Sequence, residues 1–89
     1  MIQDTQGQIR EVCDQIKVML LDKNRKYGDA AIDPIRCFSK ASPSEQLLVR
    51  IDDKLSRIRN AQTDEDEDPI NDLIGYLILL KVSKLQQNQ

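Results

Sequence analysis

Histidine and tryptophan are absent from this chain of 89 residues, and aromatic side chains make up 3% of it. Without histidine, zinc sites and acid–base catalysis by imidazole are effectively excluded. The three glycines, at positions 7, 28 and 75, lie far apart, so the chain has no glycine-rich loop to cradle a phosphate. Recognition of a phosphate would therefore depend on Lys and Arg side chains and on helix N-termini.

Long apolar runs are also missing, and the longest ones, such as residues 77–80, have four residues. With no signal peptide and no segment able to span a bilayer, the sequence predicts a soluble cytoplasmic protein without a membrane partner. The net charge of −2 argues against duplex nucleic acid as a partner. Two cysteines do not make a metal framework, so we expect Cys13 and Cys37 to be small core residues in a reducing compartment.

The hydrophobic periodicity predicts a small all-α bundle of about four helices, one of them short, in a single domain over residues 1–89. The first helix should begin near Asp4 or Thr5 and end near Gly28, a suitable left-handed C-terminal residue. Asp33-Pro34 has the pattern of an N-cap followed by proline. It predicts the short helix, with Ile35 and Phe38 facing the core.

A third helix is predicted from Ser42-Pro43-Ser44-Glu45, which has the pattern of a capping box with proline at the first helical position. Its apolar residues recur every three or four positions, so they share one helical face. They are Leu47, Leu48, Ile51, Leu55 and Ile58.

The last helix should follow an acidic loop at residues 60–68, start at Asp68-Pro69 and run from Ile70 to about Leu85, before a polar tail at 86–89. Most of its apolar residues cover one face, which we expect to pack in the core; they are Ile70, Leu73, Ile74, Leu77, Ile78 and Leu85. Leu79 projects to the opposite side, beside Gly75 and Tyr76, where the surface helix of a monomer should be polar. This helix is therefore either sandwiched centrally or packed against another subunit, and we favour a homo-oligomer in which Gly75 lets a second backbone approach.

The end of the first helix reads DKNRKYG at residues 22–28, with Lys23, Arg25 and Lys26 beside Tyr27. The helix dipole favours cations in a last turn, so the stretch is either a solvated helix end or part of an anion site.

A second basic stripe lies on the predicted third helix, where Arg50, Lys54 and Arg57 are spaced by four and three residues and project together. They flank the apolar face and could extend from the edge of the core towards a shared ligand. The alternative is a solvated flank that pairs with local acids.

Acidic residues offer a possible site for Mg²⁺. Asp68 and Asp72 are four apart at the start of the last helix and could act as oxygen ligands, although an N-cap and the helix dipole also account for Asp68. Asp52 and Asp53 diverge on the helix, and Asp53 should point into solvent unless a subunit covers it. The loop acids at positions 64–67 are expected to be solvated.

These segments occur in a recognisable order: KNRKYG at 23–28, Phe38, RIDDKLSRI at 50–58 and DPINDLIGY at 68–76. The order resembles the nucleotide modification associated domain 1 family, small helical proteins of phages and prophages. That family is in turn similar to the all-α nucleoside triphosphate pyrophosphatases of MazG and dimeric dUTPase type. The resemblance covers about residues 15–82, and it places the protein in the cytoplasm of a host cell if a phage encodes it.

The pyrophosphatases hold Mg²⁺ between two acidic helices. The resemblance therefore implies that this chain should have a counterpart of each acidic motif. Asp68 and Asp72 form a partial counterpart of the second motif. At the first motif this chain has Asp52-Asp53-Lys54 followed by Arg57, so cations stand where carboxylates are needed. The resemblance thus favours binding of an anionic nucleotide over its hydrolysis.

Three functional hypotheses follow. The first is a nucleotide-binding protein that binds or sequesters a phosphate-bearing nucleotide or nucleotide signal at a helix or subunit interface, by analogy with phage proteins that sequester cyclic nucleotides in anti-defence. Its candidate residues are Lys23, Lys26, Tyr27, Arg50, Lys54, Arg57 and Tyr76. The second is a Mg²⁺-dependent nucleoside triphosphate pyrophosphohydrolase with Asp53, Asp68 and Asp72 on the metal. The third is a non-catalytic oligomeric adaptor.

Overall fold

The computed structural model describes residues 4–61 and 68–87, and within them the chain forms three α-helices and no strand. They are α1 (Thr5–Tyr27), α2 (Pro43–Arg59) and α3 (Pro69–Gln87). The predicted all-α class is confirmed. The predicted acidic loop lies for the most part outside the described residues, as does the end of the polar tail. No described helix has the length and apolar character needed to cross a membrane.

The helix starts and stops follow the residues that predicted them. Asp4 caps α1 by accepting a hydrogen bond from the Gly7 N–H at 2.7 Å, and α1 ends at Gly28, whose φ is 63°. Because side chains clash with the backbone at positive φ, glycine is favoured at this position. The predicted bounds of the first helix are confirmed.

The other two helices begin at side-chain caps followed by proline. The Ser42 hydroxyl accepts from the Glu45 N–H at 3.2 Å, and the Asp68 carboxylate accepts from the N–H groups of Ile70 and Asn71 at 3.0 and 3.2 Å. Each cap satisfies backbone donors that have no partner inside the helix. The predictions for both helix starts are confirmed.

The short helix predicted from Asp33-Pro34 is not formed, and residues 33–42 are irregular. Ile35 and Phe38 are 89% and 99% exposed, so neither faces the core. The Asp33 N–H donates to the Asp29 carbonyl at 2.7 Å, which makes Asp33 the end of the turn after α1. The Ser39 hydroxyl accepts from the Ala41 N–H, and such local side-chain bonds compete with helix formation.

Helix α3 is the central element, since it packs against both α1 and α2. Gln87 at its end donates to the Ser44 hydroxyl at the start of α2, so the two helices run antiparallel. On its other side, a Cβ placed on Gly75 would lie 3.0 Å from Cδ2 of Leu20. The close approach that Gly75 permits is therefore to α1 of the same chain, which matches the sandwiched alternative for the last helix.

The side of α3 that packs in the core differs from the predicted one. Gly75 and Ser83 are buried, whereas much of the apolar face expected in the core is exposed. Ile70, Leu77, Ile78 and Leu85 are 56%, 46%, 39% and 64% exposed. The sequence pattern could not select the correct side, because α3 carries apolar residues around most of its circumference and Gly75 alone allows α1 to approach.

The core is small, with four buried hydrophobic residues in the described part of the chain: Ile16, Ile32, Leu47 and Ile51. Ile9 and Val12 share the face of Ile16 but are 56% and 48% exposed, because only the second half of α1 packs on α3. Cys13 and Cys37 are both exposed, so the prediction of two core cysteines is wrong. Cys13 lies in the half of α1 that projects, and Cys37 lies in the irregular segment.

Candidate nucleotide site

A cleft of 430 Å³ opens between the end of α1, the turn that follows it, α2 and α3. Its lining combines apolar side chains with cations, tyrosines and carboxylates. The lining residues are Met19, Leu20, Lys23, Asn24, Tyr27, Gly28, Asp29, Ala30, Ala31, Ile32, Arg50, Lys54, Asp72, Gly75, Tyr76 and Leu79. All of these belong to one chain, and the volume lies within the range of about 300–1,000 Å³ typical of small-molecule sites.

Asp72 lies between two lysines that also line the cleft. Its carboxylate oxygens are 3.4 Å from the Lys54 ammonium and 3.6 Å from that of Lys23. The side chains of Lys54 and Asp72 are 11% and 14% exposed, while Lys23 remains 53% exposed. One carboxylate thus serves two cations from different helices, which leaves the cleft with more positive than negative charge at this point.

Two tyrosines border the same cleft from opposite helices. Tyr27 closes α1 and is 70% exposed, and Tyr76 on α3 is half-buried. The Arg50 guanidinium lies 6.0 Å from the centroid of the Tyr76 ring, at the limit of a cation–π contact. Arg50 therefore presents its charge to the cleft beside an aromatic ring, an arrangement that suits a ligand with both a phosphate and a base.

The wall made by the end of α1 is held by its own polar groups. The Asn24 side-chain amide donates to the Gly28 carbonyl at 3.1 Å and to the Asp29 carboxylate at 2.9 Å. The Gly28 N–H donates back to the Asn24 carbonyl at 2.7 Å. These bonds fix the turn that carries Ala30, Ala31 and Ile32 along the cleft, so this helix end is not frayed.

Lys26 and its neighbours lie outside the lining of the cleft. Lys26 pairs with Asp22 at 3.2 Å, and Arg25 pairs with the same carboxylate. The hydrogen bonds from Arg25 and then Lys26 lower the pKa of Asp22 from its usual value. The structure therefore separates the predicted cations of α1 into Lys23, which reaches the cleft, and Lys26, which faces an exposed ion-pair group.

Three other predicted residues also lie outside the lining: Arg57, Asp53 and Asp68. Arg57 has Asp53 among its partners, at 3.2 Å, and both side chains are partly exposed. Asp68 caps α3. Asp53, Asp68 and Asp72 thus have different partners. Among residues 4–61 and 68–87, no three carboxylates or thiols lie close enough together to hold a metal ion.

Asn24, Asp29 and Ile32 were missed by the sequence analysis as cleft residues. Asn24 and Asp29 lie on either side of residues 25–28, and such polar residues at a helix end commonly bond to the backbone, which was the available signal. Asp72, Gly75, Tyr76 and Leu79 were correctly grouped on one side of α3, and all four border the cleft, although this side was expected to lie opposite the core.

Comparisons with protein-family models, with curated proteins and with solved structures give no match to this chain. The family resemblance based on the order of the motifs stays a prediction. The functional interpretation therefore depends on the residues of the cleft.

Proposed function

We propose that the protein binds a phosphate-bearing nucleotide in the cleft. One observation carries the proposal: three cations and two tyrosines line a single cleft of 430 Å³ within one chain. Phosphate oxygens favour Lys and Arg donors, and every base has a face on which an aromatic ring can stack. A solvated surface flank, the alternative for the basic stripe on α2, would not bring Arg50 and Lys54 together with Lys23 of another helix.

Each side chain of the cleft has a distinct role in the proposal. Arg50 and Lys23 keep exposed donors at the cleft and would contact the phosphate first. Lys54 is nearly buried against Asp72, so it would neutralise that carboxylate when Lys23 turns to the phosphate. Tyr27 or Tyr76 would stack on the base. A phosphate that approaches Lys23 would replace Asp72 as its partner, and Asp72 would keep Lys54.

We propose binding or sequestration of the nucleotide rather than its hydrolysis. A site for Mg²⁺ with substrate phosphates needs carboxylates that can face a shared ion. Asp53 is engaged with Arg57, Asp68 with backbone N–H groups and Asp72 with two lysines. A homo-oligomer assembled through α3, and a role in sequestering nucleotide signals for a phage, remain part of the same proposal.

The test is a thermal-shift screen of the full chain against mono-, di- and cyclic nucleotides, with and without Mg²⁺, followed by mass spectrometry of the bound species. A nucleotide present at about 100 times its Kd should stabilise the fold by about 2.7 kcal/mol, which gives a clear rise in Tm. We expect the ligand to be recovered intact. Recovery of a hydrolysed product only when Mg²⁺ is present would support the pyrophosphohydrolase instead.

Variants locate the site. Arg50→Ala should weaken binding by at least about tenfold, a loss of about 1.4 kcal/mol, and so should the double variant Y27A/Y76A, because each change removes groups from the cleft. Lys26→Ala is the matched control. It removes a cation from the last turn of α1, beside Tyr27, and Lys26 lies outside the lining of the cleft. If no nucleotide of the panel raises the Tm, the proposal is wrong and the adaptor hypothesis takes its place.

A further inference from the structure

The exposed apolar side of α3 has an internal symmetry. We define the outer face of α3 by Ile70, Leu77, Ile78 and Leu85, all of which are exposed, and the exposed Lys81 lies among them on the same side of the helix. Positions 70 and 85 lie at equal distances from the midpoint between 77 and 78, which is also close to the middle of the helix Pro69–Gln87. Reversing the direction of the helix therefore exchanges position 70 with 85 and position 77 with 78, so the same four positions stay apolar.

The surface of the isolated chain is larger than its mass predicts. The chain exposes 7304 Å², whereas a compact monomer of 10.2 kDa should expose about 5,300 Å². Its radius of gyration is 14.9 Å, and a compact domain of this length should have about 12 Å. The irregular and mostly exposed residues 33–42 contribute to this excess, and a standard interface buries about 800 Å² per partner, so the chain leaves enough surface uncovered for a contact with another chain.

We propose that the outer face of α3 is covered by a second copy of this chain, with the two α3 helices antiparallel across a two-fold axis that passes beside Leu77 and Ile78. The inference deepens the proposed self-association and rests on it. In this arrangement Ile70 contacts Leu85 of the partner subunit, and Leu77 contacts Ile78 of the partner subunit. Both subunits use the same patch, as an isologous interface requires.

Charge and dipole favour the antiparallel direction over the parallel one. Asp68 lies at the start of α3, and Lys84 lies in its last turn. An antiparallel pair brings the acidic end of one helix beside the basic end of the other, and it also opposes the two helix dipoles. A parallel pair would place like charges, including the two copies of Lys81, and like dipole ends together.

The first experiment measures the mass of the full chain in solution by light scattering after size-exclusion chromatography, without nucleotide. We expect at least twice 10.2 kDa for the wild type and a monomer for the double variant L77E/I78E. The matched control is L21E, which places the same charge at an exposed leucine of α1 and should keep the wild-type mass. A monomeric wild type, or a double variant that keeps the wild-type mass, would overturn the proposal.

A second experiment tests the direction and does not depend on unfolding effects. In a background with Cys13→Ser and Cys37→Ser, the pair I70C/L85C should form a disulfide-linked dimer on oxidation. I70C alone should stay uncrosslinked, because about 15 residues of helix, or about 22 Å, separate it from its copy in an antiparallel pair. Crosslinking of I70C alone would indicate a parallel pair and contradict the proposal. Neither result involves nucleotide, so failure here and failure of nucleotide binding are distinguishable.

Discussion

The Lys54 ammonium lies 3.4 Å from the Asp72 carboxylate, and both side chains are nearly buried. Asp72→Asn would leave Lys54 charged without its counter-ion. Loss of one partner of a fully buried pair costs about 3–5 kcal/mol, and the slight exposure of this pair reduces the expected loss of unfolding free energy to about 2–3 kcal/mol. Urea denaturation measures it. Asp53→Asn, which breaks the exposed pair with Arg57, is the control and should change stability by less than about 1 kcal/mol.

If the cost of Asp72→Asn arises from the uncompensated charge, a second substitution should remove it. Lys54→Met keeps a long apolar stem without the charge, so the double variant with Asp72→Asn should recover most of the lost stability. A double variant as unstable as Asp72→Asn alone would contradict this explanation.

Gly75 allows α1 to reach α3, and its replacements should depend on size. Alanine gains about 1 kcal/mol of helix propensity, but its Cβ would lie 3.0 Å from a terminal methyl of Leu20, so we expect the two effects nearly to cancel. Leucine cannot be accommodated and should cost about 1–3 kcal/mol through overpacking. Denaturant midpoints of the two variants measure the contrast, and equal midpoints would show that α1 does not pack here.

Gly28 has φ 63° and ψ −149°, a backbone conformation that is essentially restricted to glycine. Gly28→Ala should lower stability by about 1–3 kcal/mol. Because nothing lies within 4 Å of the added Cβ, the whole effect is backbone strain. Thermal denaturation checks the loss, with Lys26→Ala as a surface control. A stable Gly28→Ala variant would mean that the turn after α1 adopts another conformation.

Asp22 should make stability depend on pH in the acidic range. Its hydrogen bonds to Arg25 and Lys26 lower its pKa in the folded state, so the contribution is present above the ordinary pKa of the carboxyl group. It is lost as the pH falls through the lowered value, because the proton must then be bound in the folded state too. Urea midpoints between pH 7 and 2 should fall less steeply for Asp22→Asn than for the wild type; parallel curves would contradict the assignment.

Local signals made the helix bounds predictable. Asp4, Ser42 and Asp68 have side chains that bond to nearby backbone N–H groups, and Gly28 supplies a conformation that other residues avoid, so neighbours in sequence settle these points. Asp33-Pro34 carried the same signal without forming a helix. There the residues form local bonds instead: the Asp33 N–H closes the turn after α1, and the Ser39 hydroxyl accepts from the Ala41 N–H.

Contacts between helices were less predictable. The pattern correctly grouped Asp72, Gly75, Tyr76 and Leu79 on one side of α3, because helical geometry alone determines which residues share a side. The pattern did not determine which side of α3 would meet α1. That choice depends on the space that Gly75 leaves for α1 together with the Lys54–Asp72 ion pair. For the same reason Lys23 and Lys26, three residues apart, could not be separated from sequence into one cleft residue and one surface residue.

The way in which α1 is attached has a consequence for measurement. Its first half projects and its second half is held at Gly75 and by Lys23, so few contacts oppose its local detachment. A ligand that contacts both Lys23 on α1 and Arg50 on α2 would hold α1, the most weakly attached helix, against the rest of the fold. Amide hydrogen exchange should then slow most in the second half of α1 when a nucleotide is added, with smaller changes in α2 and α3.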